Sequence, residues 1–227
     1  MSTQITHIFL AGGGGAEDSG TLDEQFVKTL DLTKPLVYIP NAMRSNPYQS
    51  CLEWFRSVMV PLGITVIEMW DDLRPHRSVA EIAGVYIGGG DTVKLLKEIR
   101  EAGFEEYLLE VGQSGVPLYG GSAGAIILGE NIRTAPEASQ LNATETAGLG
   151  LIKDHSIVCH YKLDDREATM KLSKDLRQNI IAIPEKAGGY VAERTFTNYG
   201  TEPIVIIQGD RVNAVHPNCS IKLEMRR

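Results

Sequence analysis

Ser122 is the residue whose surroundings most directly suggest chemistry. It lies within residues 116–129, VPLYGGSAGAIILG, where one apolar run ends in two glycines and a second begins after a few small residues. The segment GGSAG at residues 120–124 fits the G-x-S-x-G pattern of a nucleophile at a strand-to-helix turn. Small neighbours permit the backbone angles of such a turn. The hydroxyl would lie at a helix N-terminus, where the Ala123 amide can stabilise a developing oxyanion.

A serine nucleophile needs a base, and the base needs an acid that fixes its tautomer. His160 follows the apolar run at residues 157–159, so we predict that it lies at the end of a strand, whereas His155 begins the same strand. Glu185 follows the apolar run at residues 180–184 in the same way. The competing carboxylates are Glu130, Asp164 and Asp165. The residues alone leave the choice of acid open.

Three other chemistries fit less well. The loop GAEDSGT at residues 15–21 lacks the lysine of a phosphate-binding loop, which favours a structural turn at the edge of a pocket. Cys159 and His160 could together act on a glutamine amide, as a nucleophile and its base. Successive strand residues face opposite sides of a sheet, so these two side chains are not expected to converge. A divalent-metal site has suitable ligand types in a spacing that matches no firm motif, so none is predicted. Its members would be His155, His160, Asp164 and Asp165.

Apolar runs and helical segments alternate along the chain, and they must position these residues. The predicted strands up to Gly121 are ITHIFL, PLVYIP, TVIEMW, AGVYIGGG and VPLYGG, and the helices are TLDEQFVKTL, QSCLEWFRSVMVPLG, VKLLKEIREAG and FEEYLLEVGQSG. Nearly continuous apolar runs are typical of parallel strands covered on both faces. After a polar stretch that ends at Gly148, the strands HSIVCHY, IIAIPE, GGYVAE, EPIVIIQ and DRVNAVH and the helix DREATMKLSKDLRQN are predicted. The pattern predicts an α/β fold: a doubly wound, mainly parallel sheet with helices on both faces and extra C-terminal strands.

The ends of the predicted parallel strands carry most of the glycine-rich loops. They read GGGG at residues 12–15, PNAM at 40–43, GGGD at 88–91 and GGSAG at 120–124. Ligands of open α/β sheets bind beyond the carboxyl ends of the strands. We therefore expect the site at this edge.

Composition excludes several classes of protein. The chain has 227 residues and a net charge of -7, with no block of Lys and Arg that could follow a nucleic acid backbone. The start MSTQITHIFLAGGGG lacks the features of a signal peptide, and no apolar run is long enough to span a bilayer. We expect a cytoplasmic protein that binds neither nucleic acid nor membrane.

Four segments together resemble one protein family: IGGGDTVKLL, YGGSAGA, the strand that ends in His160-Tyr161, and IPE. They are similar to segments of the serine peptidases that include aspartyl dipeptidases (peptidase E) and cyanophycinases, whose fold resembles that of class I glutamine amidotransferases. The likeness extends over nearly the whole chain, so a single peptidase E-like domain over residues 1–227 is expected. It implies a serine-type peptidase that cleaves short peptides, including dipeptides with N-terminal aspartate, without a metal or organic cofactor.

The resemblance also implies roles for particular residues. Ser122 would be the nucleophile, His160 the base and Glu185 its orienting partner. The oxyanion hole would be formed by the amides of Gly90 and Ala123, with Gly89 close by.

Asp91 and Arg166 are the predicted substrate-binding residues. Arg166 matches an arginine associated with recognition of the N-terminal aspartate, and a guanidinium pairs bidentately with a carboxylate. Asp91 stands where the dipeptidases commonly have Asn, and Gly121 where they have an aromatic residue; the segment after His160 also looks shorter. A carboxylate that pointed into the oxyanion site would oppose catalysis. Two alternatives therefore remain: a catalytically impaired binding protein with the same fold, and a cyanophycinase-like hydrolase of β-aspartyl-arginine.

Overall fold

Five short apolar strands form the parallel centre of the main sheet. The computed structural model describes residues 6–142 and 145–225, and these strands are β1 (Ile8–Ala11), β2 (Leu36–Ile39), β3 (Ile67–Met69), β4 (Gly84–Ile87) and β5 (Leu118–Gly121). They lie side by side in the order β1-β5-β4-β2-β3, and all neighbours are parallel. The first predicted strand started at Ile5, which lies outside the described residues. The other four starts agree with the predictions to within two residues.

Helices cover both faces of this sheet, as predicted. They are α1 (Ala16–Lys28), α2 (Tyr48–Met59), α3 (Thr92–Glu101), α4 (Glu105–Ser114) and α5 (Ala123–Leu128). A later helix, α6 (Arg166–Leu176), packs against C-terminal strands instead. Apolar side chains four residues apart, such as Leu22 and Phe26 in α1 and Phe55 and Met59 in α2, pack into one core cluster. The helices α3, α4 and α5 pack into a second cluster across the sheet. The predicted fold class is thereby confirmed.

The C-terminal strands divide between two sheets, which the sequence did not indicate. β8 (Gly188–Ala192), β9 (Thr195–Asn198) and β12 (Ser220–Lys222) extend the main sheet from β1 in antiparallel pairs. β6 (His155–Val158), β7 (Asn179–Ala182), β10 (Ile204–Gln208) and β11 (Arg211–Val215) form a separate four-stranded sheet. The short strands β9 and β12 were not predicted, since TFTN and SIK carry little apolar pattern.

The two sheets meet at the residues that follow β1, β6 and β7. β6 and β7 are parallel, and the Ile183 amide donates to the Val158 carbonyl oxygen at 2.8 Å just beyond their last pair. The His160 amide donates to the Gly12 carbonyl oxygen at 2.9 Å, and the Gly12 amide donates to the Ala187 carbonyl oxygen at 3.0 Å. The carboxyl ends of β6 and β7 are thus held against that of β1.

The polar stretch after Gly129 is mainly irregular. It contains the 3-10 turns Ile132–Thr134 and Pro136–Ala138, and its residues 143 and 144 lie outside the described part of the chain.

None of the helices in the described residues combines the length and apolar character needed to cross a bilayer.

Candidate active site

Ser122 lies in a strained turn between β5 and α5. Its backbone angles are φ 47° and ψ -108°, a region that a residue with a side chain rarely adopts, at a cost on the order of 1–3 kcal/mol. The turn is held because the Ser122 amide donates to the Ala11 carbonyl oxygen at 3.1 Å. A Cβ atom added at Gly124 would overlap the Ile87 carbonyl group, and one at Gly120 would press on the backbone of Gly124. The small residues around the serine are therefore required by close backbone packing.

His160 and Glu185 continue a hydrogen-bonded chain from the serine hydroxyl. Ser122 Oγ lies 2.9 Å from His160 Nε2, and His160 Nδ1 lies 2.9 Å from Glu185 Oε1. A carboxylate accepts hydrogen bonds, so this network assigns the proton to Nδ1 and leaves Nε2 free to accept the serine proton. The side chains of His160 and Glu185 are 48% and 58% exposed, so a substrate can reach them.

Local backbone geometry turns the imidazole toward the serine. His160 comes two residues after β6 ends and has a positive φ of 54°. Glu185 lies in a turn after β7, in which the Ala187 amide donates to the Pro184 carbonyl oxygen at 3.1 Å. Because β6 and β7 are parallel neighbours, the two side chains leave the sheet at the same edge.

The competing carboxylates bond elsewhere. Glu130 Oε1 accepts a hydrogen bond from the Asp154 amide at 3.1 Å, near the opposite end of β6. Asp165 Oδ2 accepts one from the Lys162 amide at 3.0 Å, and Asp164 is exposed in the same 3-10 turn. Glu185 is the candidate whose carboxylate contacts His160.

The glycine turn after β4 lies beside the serine. A Cβ atom at Gly89 would lie 3.2 Å from Ser122 Cβ, which shows how closely the turn approaches. Gly90 has φ 143°, and an added Cβ would overlap the Ala42 carbonyl group. Neither the Gly90 nor the Ala123 amide has an acceptor among the residues that the structure describes. Both predicted oxyanion donors are therefore free to bind a ligand.

Asp91 faces away from this turn. Its Oδ1 accepts from the Lys94 amide at 2.7 Å and its Oδ2 from Arg44 Nε at 2.6 Å, so the carboxylate caps α3. Burial opposes ionisation, but the bonds from Arg44 and Lys94 outweigh it and lower the pKa of Asp91. Asp91 is also absent from the lining of the cavity beside Ser122. Because the carboxylate is held by the Lys94 amide and Arg44, it does not point at the oxyanion site, and the repulsion considered from the sequence is not expected.

The other candidates do not form sites. Burial raises the pKa of the Cys159 thiol to about 12, and the thiol donates to the Ser122 and Ala11 carbonyl oxygens, so a thiolate pair with His160 is disfavoured. His155 and His160 lie at opposite ends of β6, and the ring of His155 bonds to the Lys153 carbonyl oxygen. Within the described ranges, no three His, Cys, Asp or Glu residues are grouped in a way that could hold a metal ion.

A cavity of about 590 Å³ opens beside Ser122. All three glycine-rich strand ends contribute to it, and so does Ser19, in the segment 15–21 that was predicted to lie at the edge of a pocket. The cavity is also lined by side chains of α2, β2 and β4 that the sequence did not single out, namely Tyr38, Ser50, Cys51, Trp54 and Tyr86. Tyr38 and Tyr86 lie within predicted strands, and nothing in the local pattern marks them as cavity residues. Arg166 is exposed at the start of α6 and does not line this cavity.

A second cavity of about 560 Å³ surrounds His155 at the other end of β6. It contains none of the residues Ser122, His160 and Glu185. The location of the hydrogen-bonded chain, and not cavity size, identifies the candidate site.

Comparison with known proteins identifies relatives of this chain in sequence and in fold. Peptidase E of Shewanella amazonensis is 30% identical over 116 residues, which are 51% of this chain and 49% of that protein. Peptidase E of Haemophilus influenzae is 30% identical over 102 residues, 44% of this chain and 46% of that protein. The matched stretch thus spans about half the length of these curated relatives.

Two solved structures share the fold over nearly the whole chain. A peptidase from an acI-B1 Actinobacterium superposes with a TM-score of 0.76 at 18% identity, covering 97% of this chain and 98% of that one. A putative peptidase E protein from Listeria monocytogenes EGD-e gives a TM-score of 0.63 at 21% identity, covering 97% and 100%. Residues 8–198 match the family model "Peptidase family S51". With most of the chain matched, the protein belongs to peptidase family S51.

Proposed function

We propose that the protein is a serine peptidase that hydrolyses a peptide bond in short peptides, with Ser122 as nucleophile, His160 as base and Glu185 as the residue that orients the base. The observation that supports this most directly is the pair of 2.9 Å contacts from Ser122 Oγ to His160 and from His160 to Glu185. A nucleophile bonded to a base that is itself oriented by a carboxylate is the arrangement that activates a hydroxyl. Membership of family S51 supports the same reaction class.

The proposed reaction is acyl transfer. Ser122 Oγ attacks the scissile carbonyl carbon while His160 Nε2 accepts the hydroxyl proton, and the Gly90 and Ala123 amides donate to the oxyanion. Collapse of this intermediate breaks the C–N bond, and His160 gives its proton to the leaving amine. Water then attacks the ester with His160 again as base, which restores the serine and releases the acid. Glu185 stabilises the imidazolium in both halves of the reaction.

One alternative is a catalytically impaired binding protein, and the main reason for it was that an Asp91 carboxylate near the oxyanion would oppose catalysis. The Asp91 carboxylate instead caps α3 and binds Arg44, which weakens that reason. A fluorophosphonate probe separates the two functions, because covalent labelling requires an activated Ser122 hydroxyl. We expect labelling of the wild-type protein and none of Ser122→Ala.

The proposal predicts a large loss of activity in Ser122→Ala. We expect kcat on short peptides to fall roughly 10⁶-fold, since the residues of a triad act as a unit. His160→Ala should fall by a similar factor, whereas loss of one oxyanion donor typically costs about 10² to 10³. Ser57→Ala, an exposed serine on α2 outside the cavity, is the matched control. Peptide cleavage that persisted in purified Ser122→Ala or His160→Ala would refute the mechanism.

A further inference from the structure

The cavity beside Ser122 has an uncharged wall. It lies at the carboxyl ends of β1, β2 and β4, between the first turns of α1 and α2. Among the described residues that line it, there is no Asp, Glu, Lys or Arg. Burial raises the pKa of Cys51 and of the two lining tyrosines, Tyr38 and Tyr86, so these groups are neutral at neutral pH. His160 is the remaining ionisable group in the wall.

Aromatic rings that end in uncharged hydroxyl groups line part of the cavity. Tyr38 stacks on Phe55 at a centroid distance of 4.2 Å, and Tyr86 stacks on Tyr119 at 4.3 Å. A Cβ atom at Gly121 would meet the Tyr86 hydroxyl at 3.6 Å, an ordinary contact, so the glycine before the nucleophile leaves this space open. The rings offer apolar surface, and the hydroxyls offer neutral hydrogen-bonding partners.

The charged side chains around the cavity offer an anion little support. Two cations, Arg44 and Lys94, line an adjoining groove, and both are paired with carboxylates. Ser19 lines the wall and donates to Asp23 Oδ2 at 2.9 Å, which places a carboxyl group directly behind it. Glu185 lies beyond His160. The cation next to the oxyanion turn, Arg44, binds Asp91 and does not line the cavity; neither does Arg166. A substrate carboxylate in the cavity would thus lose part of its hydration without gaining a lysine or arginine partner from the wall, which disfavours its binding.

We infer that the substrate residue that enters this cavity carries an uncharged side chain, apolar or neutral polar, and that peptides with aspartate at that position are poor substrates. This inference rests on the proposed function of Ser122. It differs from the aspartyl specificity that the resemblance implies, because the arginine on which that specificity depends lies outside the cavity.

The test compares dipeptides that differ in charge and little in shape. The purified enzyme is assayed with Xaa-Leu and Leu-Xaa, where Xaa is Leu, Asn or Asp, and with β-aspartyl-arginine. We expect kcat/KM for Asn to exceed that for Asp by at least about tenfold at one of the two positions, the factor that corresponds to roughly 1.4 kcal/mol. Aspartyl peptides that were cleaved as fast as their Asn counterparts at both positions would overturn the inference.

A charge added to the wall provides the second arm. Ser50 lines the cavity from α2 and is exposed, so Ser50→Arg supplies a guanidinium without disturbing the core. We expect the Asp-to-Asn ratio of kcat/KM to rise about tenfold in Ser50→Arg. It should stay unchanged in Ser50→Gln, which is bulky but neutral, and in Ser57→Arg, which lies on the same helix outside the cavity. If the Asp-to-Asn ratio of kcat/KM did not change in Ser50→Arg, the inference that charge in the cavity wall controls specificity would be wrong.

The two proposals fail in different ways. If no peptide is hydrolysed and the fluorophosphonate does not label Ser122, the proposed function is wrong. If Ser122 is labelled and aspartyl peptides are preferred, only the inference about the cavity is wrong.

Discussion

Gly13 shows why a residue without a side chain can matter to catalysis. It precedes α1 in the glycine-rich segment at residues 12–15. The sequence suggests a structural turn at residues 15–21, but residues 16–21 form the start of α1. The backbone has φ 109°, and a Cβ atom at this position would overlap the imidazole ring of His160. Gly13 also lines the cavity. Its small size therefore determines where the proposed base can lie relative to Ser122.

We predict that Gly13→Ala lowers kcat by about 100-fold or more, because the imidazole must move away from Ser122 Oγ, and misplacement by about 1 Å can cost that factor. Steady-state kinetics on a cleaved dipeptide measures the change. The matched control is Gly20→Ala in α1, where an added Cβ has nothing within 4 Å. There we expect unchanged activity and a gain in stability of about 0.4–1 kcal/mol. Full activity in Gly13→Ala would show that the ring does not need this space.

At the scale of one element, the residue that caps α3 lies next to the turn that holds the predicted oxyanion donor Gly90. Its N-cap residue, Asp91, directly follows Gly90, and the Asp91 amide donates to the Ala42 carbonyl oxygen at 2.8 Å. The side chain binds Arg44, which lies in the loop after β2. The identity of Asp91 was visible in the sequence, but the direction of its carboxylate depends on Arg44, 47 residues away.

We predict that Asp91→Ala destabilises the protein by about 1 kcal/mol through loss of the cap, whereas Asp91→Asn retains an acceptor for the Lys94 amide and loses less. Denaturant unfolding at pH 7 measures both. Because the pKa of Asp91 is lowered in the folded state, its ionic contribution is present above the ordinary value of 3.8 and lost as pH falls through the lowered pKa. The difference between wild type and Asp91→Asn should therefore shrink in acid. A large rise in kcat in Asp91→Asn would instead mean that the carboxylate faces the oxyanion.

The strands β6 and β7 show what can and cannot be predicted from the rule that site residues follow the carboxyl ends of strands. His160 and Glu185 were predicted to lie at the ends of strands of one extended sheet. The structure places both strands in the second sheet, yet the side chains meet because β6 and β7 are parallel neighbours. A continuous apolar run predicts a buried strand but does not specify which strands lie next to it in the sheet, because it can be buried equally well beside any apolar strand.

For the whole molecule, the core beneath the site contains a buried carboxyl group. Asp23 is 1% exposed and accepts hydrogen bonds from the Tyr119 hydroxyl at 2.6 Å and from Ser19. Burial raises the pKa of Asp23 above its ordinary value of 3.8, although both hydrogen bonds act in the opposite direction. The group joins α1 to β5 directly beneath the cavity, so its protonation affects the stability of the fold.

We predict that the free energy of unfolding of wild type, relative to Asp23→Asn, declines as pH rises above about 3.8 toward the raised pKa. The folded state holds the Asp23 proton more tightly than the unfolded chain, so stability is lost as that proton dissociates. Urea unfolding at several pH values measures this difference. Tyr119→Phe, which removes one donor from Asp23, should cost about 1–3 kcal/mol. A relative stability that increased with pH would contradict the sign of this shift.

What the sequence determined by itself is local in origin. The strand-to-helix turn at Ser122, the glycine-rich strand ends and the alternation of strands and helices each depend on a few adjacent residues. They sufficed to predict the fold class and to name Ser122 and His160, whereas Glu185 was selected among four candidate acids by the family resemblance. The tertiary structure decided what depends on distant partners: the separate sheet of β6 and β7, the cap made by Asp91, and a cavity wall without charge. Hydrogen-bond direction, burial and the electrostatic environment are set by residues far apart in the chain, so local pattern could not predict them.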